Sequence, residues 1–213
     1  MAKTYVEFYD YVLPEVPGCP QDLAKQYIRA ATIEFYERTG VLVYTAAALT
    51  IVDGTHTYTP AAPAGYEIAR IEELYYGDAW VEPKSNVQLA ELYQNWQEEE
   101  GEPRYFLQET TTTFRVVPIP DQNYTDTLKP RVVLRPTRSG TQISEDWVYN
   151  KWVEVIAAGA LARLQQMPQK PWKDLEQAAI NYRKFQAGIA TATVDTNRSL
   201  TGAKLQVRLR RNF

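Results

Sequence analysis

One segment limits the possible folds more than any other: residues 147–166 are apolar on several sides of a helix. A surface helix shows a single apolar stripe, whereas wide apolarity predicts a helix buried at the centre of its domain. Its larger apolar residues are Trp152, Val153, Val155, Ile156, Leu161 and Leu164. Because the run 157–160 holds only alanine and glycine, a neighbouring helix is expected to approach it closely.

Two further helical patterns come from opposite ends of the chain. Residues 21–39 form one pattern, with Pro20 suited to the helix start and Gly40 to its C-terminal cap. Residues 172–189 form the other, and Leu175, Ala179, Tyr182 and Phe185 are predicted to face inward. Ser144 is predicted to cap the central helix. The sequence therefore predicts three helices that pack together from both ends of the chain.

The middle of the chain is typical of β-structure. Residues 41–52 and 55–59 are predicted strands around an Asp53-Gly54 hairpin turn, and residues 67–76 and 79–82 are a second hairpin. A third hairpin joins residues 104–109 to 113–117, and residues 131–135 add one more strand. Ser85 is predicted to cap a short helix over residues 86–98.

These patterns predict an α+β protein: a helical bundle of three main helices with an inserted β-rich module and an extended C-terminal arm. The bundle would comprise residues 1–40 and 141–190. The smaller β module, with its short helix, would comprise residues 41–140. Residues 191–213 would form the arm, because their composition turns first polar and then basic, with alternating aliphatic residues.

The composition excludes several broad classes. With 45% hydrophobic and 23% charged residues the chain is expected to fold, and a net charge of −3 does not favour a general nucleic-acid binder. The single cysteine, Cys19, rules out an intrachain disulfide and suggests a reducing compartment. No apolar run is long enough for a membrane span, and the first residues lack the apolar core of a signal peptide.

Catalytic and metal-binding patterns are weak throughout. His56 is the only histidine and follows a turn, and one His with one Cys excludes the usual zinc patterns. Glu72 and Glu73 would point to opposite faces of a strand, and residues 98–100 are a solvated acidic run. A carboxylate pair far apart in the chain stays open. We therefore predict a non-enzyme without cofactor or metal.

An aromatic group at the second hairpin has two interpretations. Tyr75, Tyr76 and Trp80 could form a sugar-binding platform, or they could pack a β core or a subunit interface. The basic arm likewise could bind nucleic-acid phosphates or a groove on a protein. Because aliphatic rather than aromatic residues alternate in the arm, the protein groove is preferred.

Several segments, in the order in which they occur, resemble phage head-to-tail adaptor proteins. They are Val16-Pro17-Gly18-Cys19-Pro20, Ile28-Arg29-Ala30-Ala31, Glu34 through Thr39, Leu49 through Gly54, Tyr58-Thr59-Pro60, Ile68 through Leu74, and Trp152-Val153-Glu154 with its alanine-rich continuation. The resemblance covers residues 5 to 190. Its motifs are structural, so it implies no catalytic residue.

The resemblance implies a twelvefold ring of identical subunits below the portal, in the neck of the virion, assembled in the host cytoplasm. The ring would surround a channel that DNA crosses without specific binding, and the β part would contact the next tail protein. The arm would dock on the portal through Arg198, Lys204, Leu205, Val207, Arg208, Leu209, Arg210, Arg211 and Phe213. At least one of Trp147, Trp152 and Trp172 is predicted to lie at the subunit interface, because three are many for a small helical core.

Two alternatives remain. The first is a stopper or tail-completion protein of the same neck, although such a protein is expected to be mostly β. The second is a carbohydrate-binding or hydrolytic surface module, which would use the aromatic hairpin.

Overall fold

The computed structural model describes residues 2–143 and 145–198. Its contacts divide the chain into two compact units, one built from both ends of the chain, up to Val41 and from Arg138 onward, and one from Leu42–Thr137. In chain order the elements are β1 (Lys3–Thr4), α1 (Tyr9–Val12), α2 (Gln21–Thr39), β2 (Val43–Thr45), β3 (Leu49–Thr50), β4 (Thr57–Tyr58), β5 (Tyr66–Tyr76), β6 (Ala79–Pro83), α3 (Asn86–Leu92), β7 (Tyr105–Gln108), β8 (Phe114–Val117), β9 (Thr127–Pro136), β10 (Gln142–Ile143), α4 (Asp146–Leu164) and α5 (Leu175–Asn197).

The predicted fold class is wrong. Across the described residues there are five α-helices, and the β part is a large curled mixed sheet of eight strands rather than a small module. Helices take up 40% of the structure and strands 24%. The β part was underestimated because its strands pair across long stretches of sequence, which local patterns do not reveal.

Helix α2 forms as predicted, with a residue that favours a helix boundary at each end. Pro20 precedes it with φ −59°, and Gly40 ends it in the left-handed conformation at φ 62°, where its N–H donates to the carbonyl of Tyr36. Its buried face carries Ala24, Ile28, Ala31, Thr32, Phe35, Tyr36 and Thr39. The hydroxyls of Thr32 and Thr39 donate to the carbonyls of Ile28 and Phe35, so both polar groups are satisfied in the core.

Helix α4 is the central buried helix that its sequence predicts. Eleven of its residues are buried, and Glu145 rather than the predicted Ser144 is its N-cap residue. Ser144 itself lies outside the described residues. A Cβ on Gly159 would lie 2.7 Å from the ring of Phe185 on α5, so the glycine is what allows the aromatic ring to sit against α4.

Helix α5 starts later and ends later than predicted. Asp174 caps it by accepting from the N–H groups of Glu176 and Gln177, and the helix continues to Asn197. Its buried face is Ala178, Asn181, Phe185, Ile189 and Ala192. The predicted inward positions Leu175, Ala179 and Tyr182 are exposed, because the true face includes a small and a polar residue that a search for large apolar side chains overlooks.

The N-terminal segment is more regular than its sequence suggests. Short 3-10 turns flank α1, and Tyr5, Phe8, Val12 and Val16 are buried along it. The hydroxyl of Tyr149 on α4 donates to the carbonyl of Glu7 at 3.0 Å. Strand β1 pairs antiparallel with β10, so the first residues are held to the segment that precedes α4.

The strands of the second unit follow the order β2-β9-β5-β6-β7-β8-β4, with β3 also paired to β9. All pairings are antiparallel except that of β6 with β7. The curled sheet encloses one apolar cluster, whose members are Ile51, Tyr58, Ile68, Ile71, Leu74, Val81, Phe106, Phe114, Val116, Leu128, Val132 and Leu134.

Two of the three predicted hairpins are confirmed. Strand β5 pairs with β6 around Gly77, and β7 pairs with β8 around the threonine run. The hairpin predicted at Asp53-Gly54 is wrong. The turn itself forms, with the N–H of Thr55 donating to the carbonyl of Val52. The two flanking strands do not pair with each other, because β3 pairs with β9 and β4 pairs with β8. The Ser85 cap of α3 is confirmed, although α3 ends at Leu92 rather than at residue 98.

Candidate subunit and partner interfaces

The three tryptophans predicted for a subunit interface occupy different environments in the helical unit. Trp147 stands in the first turn of α4 and is 39% exposed. Trp152 is buried, with its ring 5.7 Å from that of Phe35 on α2. Trp172 is buried as well, and its indole N–H donates to the carbonyl of Leu164 at 3.2 Å. Trp147 therefore offers more surface to another chain than the other two, and the interface role of all three tryptophans stays a prediction.

A second exposed apolar surface lies on α5 and was missed from the sequence. Ile180, Ala187 and Val194 are exposed and seven residues apart, so they follow one side of the helix. They lie opposite the buried face that holds Phe185 and Ile189. The seven-residue spacing was present in the sequence, but the large residues Leu175 and Tyr182 turned the predicted core face away from the observed one, and of its four predicted residues only Phe185 is buried.

A polar network ties the three long helices together. Arg163 of α4 forms an ion pair with Glu34 of α2, and Glu34 also pairs with Arg38 at 3.0 Å. The guanidinium of Arg38 donates to Gln186 of α5 at 2.7 Å. The Arg163 guanidinium also lies 5.6 Å from the centre of the Phe185 ring. These contacts link the helices that present the two exposed surfaces.

A cleft of about 320 Å³ opens on the same unit between the N-terminal segment, α4 and α5. Glu15, Glu154 and Lys184 line it with apolar residues of α4. At its side the buried amide of Asn181 donates to Gln165 at 2.9 Å, so the polar groups of this buried pair satisfy each other. The cleft has charges of both signs and no concentration of catalytic groups.

The predicted portal-docking arm is mostly beyond the described part of the chain. Lys204, Leu205, Val207, Arg208, Leu209, Arg210, Arg211 and Phe213 lie outside the described residues. Arg198 is described, exposed and placed directly after α5, where its N–H donates to the carbonyl of Val194 at 3.1 Å. Residues 191–197, predicted as part of the arm, are helical.

The aromatic hairpin of the β unit does not bring its three rings together. Tyr75 and Trp80 are directly opposite each other on β5 and β6 and share one face, where Trp80 is 55% exposed. Tyr76 points to the other face, because side chains alternate along a strand, and its ring lies 5.9 Å from that of Tyr124. The three-ring sugar platform is therefore not assembled, whereas the exposed Trp80 and the half-buried Tyr75 share one face of the hairpin.

The residues considered for catalysis have structural roles or separate ion-pair partners. The His56 carbonyl accepts from the N–H of Val116 as part of the sheet. Burial raises the pKa of the Cys19 thiol above its ordinary value, which disfavours the reactive thiolate. Glu72 pairs with Arg70 and Glu73 with Arg131, so the two carboxylates have separate partners. Among residues 2–143 and 145–198, no group of three His, Cys, Asp or Glu side chains could hold a metal ion.

In the described part of the chain, no helix is both long and apolar enough to cross a bilayer. Comparison with known proteins gives one family. The family model described as SU10 adaptor protein matches residues 3–208. No curated protein matches the chain. Because the match covers nearly the whole chain, the protein belongs to the SU10 adaptor protein family of phage head-to-tail adaptors.

Proposed function

We propose that this adaptor forms a ring of identical subunits, twelve in number, below the portal and joins the capsid vertex to the tail. The observation that carries this proposal is the family match over residues 3–208. A closed ring needs a heterologous interface, in which one surface of a subunit contacts a different surface of the next. The helical unit has two candidate surfaces, at Trp147 and along α5.

The C-terminal arm is the proposed contact with the portal. Residues 199–213 contain no acidic residue but include Lys204, Arg208, Arg210 and Arg211. Leu205, Val207 and Leu209 alternate with polar residues, which is the pattern of a strand with one apolar face. An arm of this kind suits a groove on the portal that is apolar at its floor and acidic at its rim.

The β unit is the proposed contact with the next protein of the neck. Trp80 is the most exposed of the tryptophans in the described residues, and it stands beside Tyr75 and near the ion pair of Glu73 and Arg131. Exposed aromatic residues ringed by polar groups are typical of binding hot spots. The proposed role needs no catalysis, and DNA would pass through the ring without specific contacts, since the net charge of −3 does not favour phosphate binding.

The ring proposal is tested by the mass of the purified protein in light scattering, alone and mixed with its portal. A ring mass, or a stoichiometric complex with the portal, is expected. Trp147→Ser should weaken ring formation, whereas Trp80→Ser, a change of equal size on the β unit, should leave the ring mass unaltered. A protein that stays monomeric and ignores the portal would refute the proposal and favour a stopper or a surface module.

The arm proposal is tested by pull-down of the portal. Because α5 continues to Asn197 and Asp195 pairs with Lys151, the truncation should begin after Arg198 and remove residues 199–213. This change is expected to abolish portal binding while far-UV circular dichroism stays unaltered. Replacing Arg208 and Arg210 by Glu in the full chain should weaken binding to an acidic groove. Equal capture of the portal by the full and truncated chains would contradict the proposal.

A further inference from the structure

One side of α4 carries both the exposed tryptophan and the cleft. Trp147, Glu154 and Leu161 are seven residues apart, so they lie in one row along the helix. Trp147 and Glu154 are exposed, and Glu154 and Leu161 line the cleft of about 320 Å³. This row, called the open side of α4, therefore runs from an aromatic ring at the helix start to a cleft that Ala157 and Ala158 also line.

A second row lies on α5, opposite the face that packs on α4. Its members, Ile180, Ala187 and Val194, are exposed and form the outer row of α5. Arg183 is exposed on the same side, three residues after Ile180 and four before Ala187. The outer row and the open side of α4 are different surfaces of the helical unit, and a closed ring needs two different surfaces that fit each other.

The two rows match in length and in height. Each has three members at seven-residue spacing, which covers about 21 Å of helix. Within one subunit the ring of Phe185 lies against Gly159, so the first two members of the outer row are at the height of the cleft. Asp195 pairs with Lys151 at 2.7 Å, so the last member is at the height of the first turns of α4. Rotation about a ring axis keeps every residue at its height, so in a ring whose axis follows these helices the outer row of one subunit meets the open side of the next.

The charges of the two surfaces are complementary. Glu15, Glu154 and Lys184 are the charged residues that line the cleft, and together they leave it a net charge of −1. Arg183 brings one positive charge between the first two members of the outer row. Among residues 2–143 and 145–198, neither Glu15, Glu154 nor Arg183 has an ion-pair partner. A guanidinium suits a pair of carboxylates, because its N–H groups can donate to both.

We propose that the outer row of α5 packs along the open side of α4 in the next copy of the chain, with Arg183 beside the carboxylates of Glu15 and Glu154. Val194 then packs against Trp147 of the next copy, and the apolar lining of the cleft receives the rest of the row. This interface rests on the proposed ring and assigns the two surfaces that close it.

The first test uses cysteine pairs in a Cys19→Ser background, with the protein alone and with its portal. Glu154→Cys and Ala187→Cys, carried by separate chains that are mixed and mildly oxidised, should give a disulfide-linked dimer, because a disulfide needs Cβ atoms about 3.8 Å apart. The two changes in one chain should give a ladder of linked copies. In the control, Ala179→Cys replaces Ala187→Cys; it is an exposed alanine of α5 outside the row and should give neither product.

The second test exchanges charges and follows ring mass by light scattering. Arg183→Glu should weaken assembly by about tenfold or more, because like charges then face each other across the interface. Adding Glu154→Arg to the same chain reverses both charges and should restore the ring mass. Lys173→Glu, an equal change of charge at an exposed position just before α5, should leave the ring mass unaltered.

The outcomes separate this interface from the ring itself. A ring that forms but is linked through Ala179→Cys and not through Ala187→Cys, or that keeps its full mass with Arg183→Glu, would overturn the interface and leave the ring proposal standing. A protein that does not assemble, alone or with its portal, would refute both.

Discussion

The close approach of α4 and α5 at Gly188 makes a sharp prediction about stability. A Cβ at Gly188 would lie 2.4 and 2.6 Å from the two methyl carbons of Val155 and 3.0 Å from its Cβ. Valine in a helix has one strongly preferred rotamer, so its methyl groups cannot swing away. Gly188→Ala is therefore expected to push the two helices apart.

The magnitude follows from two opposing effects. Alanine is favoured over glycine in a helix interior by about 0.8–1.0 kcal/mol. Overpacking a close contact typically costs about 1–3 kcal/mol, and the upper end applies here because both methyl groups are in the way. We expect Gly188→Ala to lower the free energy of unfolding by about 2 kcal/mol. Urea unfolding followed by circular dichroism at 222 nm measures this value.

The partner substitution shows whether the contact with Val155 is the cause. Val155→Ala removes both methyl groups and leaves a Cβ contact at 3.0 Å, which a shift of a few tenths of an ångström relieves. In that background Gly188→Ala should be neutral or should stabilise by up to about 1 kcal/mol, since helix propensity then dominates. The coupling energy between the two positions would be about 2–3 kcal/mol. An equal loss in both backgrounds would refute the reasoning.

Two further predictions concern a helix cap and the tyrosines. Asp174→Ala should lower the free energy of unfolding by about 1 kcal/mol, because two N–H groups at the start of α5 lose their acceptor. Asp174→Asn, whose side-chain oxygen can still accept, should retain most of the stability. Thermal melts of the three proteins measure the difference. Burial raises the pKa of Tyr58 and Tyr149, and the hydrogen bond to Asp121 raises the pKa of Tyr124. These tyrosines keep their protons to a higher pH in the folded state than in the unfolded state. The free energy of unfolding should therefore be unaffected below a pH of about 10 and should fall as the pH rises above it. Urea midpoints at increasing pH, with tyrosinate absorbance at 295 nm, check this; a midpoint that stays constant while the tyrosines ionise would contradict it.

The helix ends show which signals a sequence carries. Pro20 and Gly40 act within their own turns, so α2 was predicted at both ends. The far end of α5 was not, because its threonine-rich composition indicated loose chain. In the structure the hydroxyls of Thr191, Thr193 and Thr196 donate to carbonyls four residues earlier, so these residues satisfy their polar groups inside the helix.

The candidate interfaces were predicted only in part, for a related reason. Trp147 was selected from the sequence, but nothing local distinguishes it from Trp152 and Trp172, which find their places only when the helices pack. The exposed row of Ile180, Ala187 and Val194 became visible once the buried face of α5 was known.

Strand β5 shows that even a correctly predicted strand can have a pairing that its sequence does not reveal. Its buried residues, Ile68, Ile71 and Leu74, are three apart rather than two, because the register with β9 shifts between 68 and 70 and again between 71 and 73. Each shift is a bulge that adds a residue to one strand and bends it. Both bulges lie where β6 no longer pairs with β5, and bulges in such unpaired stretches discourage unwanted pairing. The N–H of Ile71, which lies between the two bulges, donates to the side-chain oxygen of Gln108 on β7, so this stretch of β5 is satisfied without a neighbouring strand and is guarded against unwanted pairing.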